Sequence, residues 1–329
     1  MPEYTWPPMD KRKVIGKRMT RLDGAAKSSG RAKYSSDLNP QGLLHAAFLT
    51  SPHAHARVKS IDTSAAQKMP GVAAVRVISA PGTEIQWAGA EIASVAAASE
   101  PQAHDAVRAI KVEYEVLPHV VREEDLSKVG NRAKASGEQV TGDPDKAFSE
   151  ADVVSEGHYG IPVITHCCLE PHGAVAEWKG DKVNFWPSTQ AVSTIAGDLA
   201  KNIEVPAANI RVQMDYMGGG FGSKFPAGRW GVEATRLSKE GGGRPVKLFL
   251  DRRSELTIAG VRPSDFADIK IAAKKDGTIT GWQSRSWSTG GFTGGGMPPI
   301  PYVYTKIPNI RLNHTSVSLN TGPVQAWRA

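Results

Sequence analysis

A chain of 329 residues with 40% hydrophobic content can bury a large core, and its length suggests two or so domains. No apolar run reaches membrane-spanning length, and the two cysteines, Cys167 and Cys168, are adjacent, which excludes a disulfide framework and any iron–sulfur cluster held by this chain alone. The net charge of +7 is moderate, and its one basic cluster, from Lys11 to Arg21, is short and poor in aromatics, which suits a solvated arm lying on a partner subunit better than a nucleic-acid arm.

Residues 1–30 read as that extended arm. Residues 42–48 and 56–61 are short apolar runs with strand character, and 72–78 and 91–98 read as buried strands. Ser99-Glu100-Pro101-Gln102 predicts a helix start, with Ser99 as N-cap, Pro101 in the first turn and Gln102 closing a capping box. Ala103, Ala106, Val107 and Ile110 follow at helical spacing, and 112–116 alternates as a strand that Pro118 ends. Residues 31–120 therefore form one compact domain of mixed helices and strands. Residues 121–150, charged and rich in Gly and Ser, read as a linker with a short helix near 143–151. In 151–329 strands are predicted at 153–157, 173–178, 182–186, 210–214, 245–251, 267–273 and 279–286. Helices are predicted at 191–200 and at 229–239, the latter closed by Gly241-Gly242-Gly243. A second glycine-rich loop runs from Gly290 to Gly296. The final residues, Trp327-Arg328-Ala329, read as the middle of an element, so a truncated or split polypeptide is expected. The opening residues lack a charged segment followed by an apolar one, which predicts a cytoplasmic chain, the alternative being export with a signal-bearing partner.

The most informative stretch is Met217-Gly218-Gly219-Gly220-Phe221-Gly222-Ser223-Lys224. Backbone stripped of side chains can approach a ligand closely, and its N–H groups can converge on an anion. A flexible linker would rarely carry an inserted Phe or follow a strand-like run such as Ile210 to Met214. A P-loop needs Gly directly before Lys and Ser or Thr directly after it, whereas Ser223 precedes Lys224 and Phe225 follows. A dinucleotide fingerprint counted from Gly218 puts Ser223 where its last glycine belongs. Other candidates have plainer readings. His166-Cys167-Cys168-Leu169-Glu170-Pro171-His172 is rich in metal-capable groups, yet its spacing suits buried structural residues better than zinc. Ser188 or Thr189 would cap the next helix and leave Gln190 at its start. Arg252, Arg253, Glu255 and Arg262 read equally as anion contacts or surface pairs. No Ser/His/Asp triad or carboxylate pair appears at recognisable spacing, which leaves hydrolase readings without support.

Taken in order, these segments resemble the molybdopterin-binding large subunit of the xanthine dehydrogenase/aldehyde oxidoreductase (molybdenum hydroxylase) family. The resemblance rests on Gly16-Lys17 with Arg21-Leu22-Asp23-Gly24, Ser51-Pro52-His53-Ala54-His55-Ala56, Ser60-Ile61-Asp62-Thr63 and Glu170-Pro171-His172-Gly173-Ala174. Ser188-Thr189-Gln190, the 218–224 loop and Asn320-Thr321-Gly322-Pro323 with Arg328-Ala329 complete it. It implies an α+β fold: an a/b hammerhead domain over 31–120, then the first part of the molybdenum-cofactor-binding domain over 151–329. It implies hydroxylation of an aldehyde or N-heterocycle with oxygen drawn from water. Gln190 would hydrogen-bond an oxygen ligand of molybdenum, and Phe221 and Gly222 would bring backbone near the metal. Gly218, Gly219 and Gly220 would admit the pterin, in its cytosine dinucleotide form, and Arg328 would contact cofactor or substrate. No residue would ligate molybdenum directly. Iron–sulfur clusters and FAD would sit on partner subunits, and the general-base glutamate on the missing C-terminal half. Phe225 stands where purine oxidisers of the family carry an acidic residue, which favours an uncharged substrate. The alternative is a non-catalytic fragment acting only as a subunit-interaction module.

Overall fold

The computed structural model describes residues 5–124, 126–301, 304 and 306–327. Residues 5–22 are almost all exposed, as an arm without an apolar face should be. A short helix α1 (Gly24–Ser28) follows, then β1 (Leu44–Thr50), β2 (Ala56–Asp62), α2 (Ser64–Gln67), β3 (Val72–Val77), β4 (Glu84–Ile85), β5 (Glu91–Ala97), α3 (Glu100–Ala109) and β6 (Lys111–Val116). The near-continuous apolar run of β5 lies in the middle of a sheet and is buried almost throughout. Ser99 caps α3 as predicted, its Oγ accepting from the Gln102 N–H at 3.4 Å. The expected capping box closes differently: Ser99 Oγ donates to Gln102 Oε1 at 3.0 Å, and Gln102 Nε2 turns to the Pro70 carbonyl at 3.3 Å. Ala103, Ala106 and Val107 bury the inner face of α3.

The second stretch contains β7 (Ala133–Thr141), α4 (Pro144–Ser149), β8 (Val153–Ile161), β9 (Ile164–Thr165), β10 (Gly173–Lys179), β11 (Lys182–Pro187), α5 (Ile195–Ile203) and β12 (Ile210–Val212). After these come α6 (Gly228–Glu240), β13 (Val246–Phe249), α7 (Arg252–Thr257), β14 (Val261–Arg262), β15 (Asp265–Ala273), β16 (Ile279–Thr289) and β17 (Asn309–Val317). The stretch read as a linker thus holds an edge strand. Residues 133–141 pair antiparallel with β17 in a five-stranded sheet ordered β7-β17-β16-β15-β8. Neither β7 nor β17 was anticipated. Nearly every β7 side chain is exposed, so its sequence carries no alternation, and its place depends on backbone pairing.

The two regions are not separated by a gap. One seven-stranded sheet, ordered β12-β11-β10-β13-β1-β5-β3, runs through both, and β1 joins β13 in parallel register, Leu44 opposite Val246 and His45 opposite Lys247. Helix α6 covers this sheet with Trp230, Ala234 and Leu237 in the main core. Its C-terminus closes on the predicted glycines, the Gly241 N–H donating to Leu237 O and the Gly243 N–H to Ser238 O, each at 2.8 Å.

A buried carboxylate rivets the seam. Glu233 of α6 is fully buried and accepts from Arg76 Nε of β3 at 3.1 Å, Ser94 Oγ of β5 at 2.9 Å and Arg236 Nη1 at 3.2 Å. Arg76 also pairs with Glu240 at the end of α6, so removing Glu233 leaves its guanidinium with that one partner and the Ser94 hydroxyl without its acceptor. Glu233→Ala should lower unfolding free energy by about 3 kcal/mol in urea titrations. A change within error would show that Arg76 and Ser94 rehydrate freely.

Candidate functional site

After β12, the Gln213 N–H still donates to Phe185 O at 3.0 Å, and the chain then leaves the sheet into the glycine-rich loop. A turn closes between Gly220 and Ser223, the Ser223 N–H donating to Gly220 O at 3.0 Å. Phe221 sits at φ 52° with its side chain 49% exposed. A bulky residue in the left-handed region is strained, and such strain persists only where surrounding contacts over-determine it.

Gln190 supplies those contacts. Its N–H donates to Lys224 O at 2.8 Å, and its Oε1 accepts from the Gly222 N–H at 2.8 Å and the Lys224 N–H at 3.3 Å. Two backbone donors facing one amide atom require that atom to be oxygen. The Nε2 group is therefore the free end of the amide, and Gln190 is exposed. A Cβ at Gly220 would collide with the Gln190 side chain, one at Gly218 with Glu170, and one at Gly222 with the Ala326 backbone. These three glycines are small because protein packs on them. Gly219 is the more open position, its nearest neighbour being the Phe221 ring at 3.1 Å.

Lys224 anchors the loop below. The side chain is buried, and Nζ donates to Glu170 O at 2.7 Å and to Ser188 Oγ at 2.6 Å, with Glu170 Oε2 at 3.8 Å. Burial pushes the ammonium below its ordinary range, and the Glu170 carboxylate pulls it back. Ser188 Oγ donates in turn to Glu170 Oε2 at 2.8 Å, which also accepts from the Gly218 N–H at 2.7 Å. Ser188 and Thr189 therefore do not cap a helix. Thr189 Oγ1 donates to Lys224 O at 2.9 Å and accepts from the Ala191 N–H at 3.0 Å, and α5 begins only at Ile195. Gln190 precedes that helix instead of opening it.

The His/Cys segment separates its polar groups. His166 Nε2 lies 2.7 Å from Ala326 O, with the ring 4.4 Å from Trp327, and burial pushes the imidazole down. Cys167 is exposed at φ 47°, while Cys168 is buried and its thiol pushed up by that burial. Among the described residues no group of three or more His, Cys, Asp or Glu could hold a metal ion. His172 is fully buried, Nδ1 facing both Glu255 oxygens at 3.0 Å and Nε2 facing Ser223 Oγ at 2.8 Å. The fold thus assembles a Ser–His–Glu chain that spacing did not reveal, and because all three groups are sealed from solvent it has no access to substrate. Glu255 is accordingly neither a surface pair nor an anion contact, and Arg252 donates to Cys168 O at 3.1 Å. Arg328 lies outside the described residues; Ala326 and Trp327, just before it, lie against Gly222 and His166.

A cavity of about 590 Å³ lies elsewhere, between β1, α3 and the β13–α7 connection, and neither Gln190 nor the loop lines it. The loop and Gln190 instead form an open face. Leu169 (89% exposed), Phe225 (50%) and Phe221 are exposed apolar residues of the segments that build it.

Comparison with known proteins places this geometry. The molybdopterin cofactor-binding domain profile matches residues 126–329, and the aldehyde oxidase and xanthine dehydrogenase a/b hammerhead domain profile matches 29–80. The chain belongs to the molybdenum-cofactor-binding large subunits of the aldehyde oxidoreductase/xanthine dehydrogenase family. It is 31% identical to the molybdenum-binding subunit of an Escherichia coli aldehyde oxidoreductase, over 95% of this chain and 45% of that subunit. It is 33% identical to mouse xanthine dehydrogenase/oxidase over 84% of this chain and 22% of that protein. Among solved structures, quinoline 2-oxidoreductase from Pseudomonas putida 86 superposes with a TM-score of 0.79 at 26% identity, covering 97% of this chain and 46% of its own. The Desulfovibrio gigas aldehyde oxidoreductase superposes with a TM-score of 0.77 at 26% identity, covering 98% and 40%. The chain thus spans less than half the length of these relatives. The α+β fold and the order of hammerhead and cofactor-binding regions agree with the resemblance.

Two consequences can be measured. Gly222 has φ +112° and abuts the Ala326 backbone, whereas Gly242 has φ +76° and open space around it. Gly222→Ala should cost about 2 kcal/mol more than Gly242→Ala in denaturant titrations; equal costs would mean that the 326–327 segment does not rest on the loop. Asp265, beside Arg262 at the start of β15, is pushed up to about 6 by burial against the pull of that guanidinium. Between its ordinary 3.8 and about 6 the folded protein holds a proton that the unfolded chain has lost, so stability falls as pH rises through that window. Asp265→Asn should therefore raise the melting temperature relative to the parent more at pH 8 than at pH 4.5, and a pH-independent difference would refute the assignment.

Proposed function

We propose that this chain holds the molybdenum–pterin cofactor, in its cytosine dinucleotide form, against Gln190 and the 218–222 loop, within an oxidoreductase that hydroxylates an aldehyde or N-heterocycle. The observation that carries this reading is the Gln190 amide. Its oxygen is used up by two loop N–H groups, so its Nε2 is a fixed donor on an open face beside the strained, exposed Phe221. A preorganised donor of this kind suits an oxygen ligand of an oxidised metal. The residues present fit the group: Gln190 offers an exposed amide donor, and Phe221 an exposed apolar ring on the same loop turn whose Gly222 N–H holds that amide. When bound, the molybdenum centre supplies the two-electron oxidation and transfers oxygen drawn from water.

Every other contribution assigned here belongs to the chain. Gln190 orients and donates; Gly222 and Lys224 hold its oxygen; Phe221 excludes water beside it; Glu170, Ser188 and Lys224 keep the loop at one height. Arg328 is proposed to contact cofactor or substrate. Relatives support the substrate classes: aldehyde oxidoreductases, quinoline 2-oxidoreductase, and the nicotine 6-hydroxylase large subunit of Paenarthrobacter nicotinovorans, 32% identical over 88% of this chain. Phe225 favours an uncharged substrate over a purine. Turnover is proposed for the assembly with polypeptide matching the remainder of the relatives' length, which would bring the general-base glutamate, and with iron–sulfur and FAD subunits to accept electrons. A cytoplasmic location is proposed, with export alongside a signal-bearing partner as the alternative.

Co-expression with polypeptide matching that remainder should yield about one molybdenum per chain by metal analysis and release cytidine monophosphate on acid hydrolysis. In that assembly Gln190→Ala should lower kcat for an aromatic aldehyde about 100-fold. Absence of molybdenum from the intact assembly would end this reading, and adenine or guanine nucleotide in place of cytidine would end the cytosine assignment.

A further inference from the structure

The buried Ser223–His172–Glu255 chain stops on the loop itself. Beyond its bond to His172, Ser223 Oγ lies 2.9 Å from the Gly220 carbonyl and is placed to donate to it. A serine hydroxyl has one hydrogen to give. If that hydrogen goes to Gly220, His172 Nε2 must itself be the donor to Ser223 Oγ. Nδ1 faces only the two Glu255 carboxylate oxygens, so it too must donate, and the ring carries hydrogen on both nitrogens. If instead the hydroxyl turns to Nε2, Ser223 Oγ and Gly220 O face each other at 2.9 Å with no hydrogen between them, the carbonyl keeping only the Ser223 N–H at 3.0 Å, inside a fully buried site.

The surroundings hold the ring in place. The His172 N–H donates to Glu255, and its carbonyl accepts from the Leu250 N–H at 2.9 Å. From α6 the Trp230 ring meets the imidazole edge-on, with centroids 5.0 Å apart. The charged and titratable groups nearby are Glu255 from α7, Lys224 from the loop, and His166, Cys168 and Glu170 from the segment leading into β10. The Glu255 carboxylate is the one in direct contact with the ring.

We propose that His172 is a positioning residue for Gln190: held by Glu255 with both ring nitrogens hydrogen-bearing, it turns the Ser223 hydroxyl onto the Gly220 carbonyl and so fixes the turn whose Gly222 N–H grips the Gln190 amide. The chain of contacts runs inward to outward, from α7 through His172, just before β10, and the loop to the exposed Nε2. Its value to the protein rests on the reading of that Nε2 as the cofactor's donor, but the hydrogen-bond arrangement does not.

The test therefore uses the cofactor-free chain. With histidine labelled in nitrogen-15, long-range proton–nitrogen correlation at pH 7 should show His172 with hydrogen on both nitrogens. Glu255→Gln should convert it to a single neutral tautomer. Ser223→Ala should speed amide hydrogen exchange at Gly222 and Lys224 about tenfold, the loss of roughly one hydrogen bond, while the amides of β10 and β11 keep their protection. A neutral His172 in the parent protein overturns the proposal whatever the variants do. So does unchanged exchange at Gly222 and Lys224, or a loss of protection spread evenly over the sheet, which would make Ser223 a packing residue only. Molybdenum retention plays no part in these readouts, so the proposal and the cofactor reading can fail separately.

Discussion

The dry ammonium of Lys224 is the constraint on which the site depends. A buried cation is tolerated only where its hydrogens are taken up, and here a carbonyl and a hydroxyl do so while the Glu170 carboxylate balances the charge. The same residue's backbone receives Gln190 and Thr189 at its carbonyl and gives its N–H to Gln190. Three distant segments, 166–172, 188–190 and 217–224, are thereby locked to one another through a single residue. A lysine there that could reach water would leave the loop free to drift, and the strained Phe221 would relax.

Above that anchor, the loop is built from close approaches rather than from vacancy. Gly218, Gly220 and Gly222 each touch another part of the protein so tightly that a methyl group would displace it. Glycine in this loop is thus first a packing device that brings Glu170, Gln190 and Ala326 onto one turn, and only at Gly219 an opening. The preorganisation has a direct chemical meaning: the Gln190 amide presents its donor outward because its oxygen is already spoken for.

The hammerhead region and the cofactor-binding region share a sheet, so the site is carried on a frame larger than either. The parallel pair of β1 with β13 and the Glu233 rivet join them, and β13 leads directly into α7, which carries Glu255 beneath the loop. Phe221 and Gln190 lie exposed where this frame leaves the loop uncovered.

Local pattern in the chain was enough for the buried strands β5 and β10, the capped start of α3 and the glycine stop after α6, because each is governed by residues within a few positions of one another, whereas β3, expected to be buried, is a half-exposed sheet edge. That the glycine-rich run leaves a strand as a loop was also legible, since no regular element suits a phenylalanine set among glycines. The strand β7 was not, because backbone hydrogen bonds to a remote partner hold it and its side chains carry no period, and β17 was missed although Ile310 and Leu312 alternate with polar residues. The cap expected at Ser188 or Thr189 was overruled by Lys224 and Glu170, which claim those hydroxyls from elsewhere in the chain. Ser223, His172 and Glu255 stand 51 and 83 positions apart, and no reading of spacing joins them. The sequence by itself determined which segments must be helix, strand or bare loop; only the tertiary structure decided which polar groups would be sealed together, because the cost of burying a charge or a hydroxyl is settled by partners that folding, not sequence proximity, brings into contact.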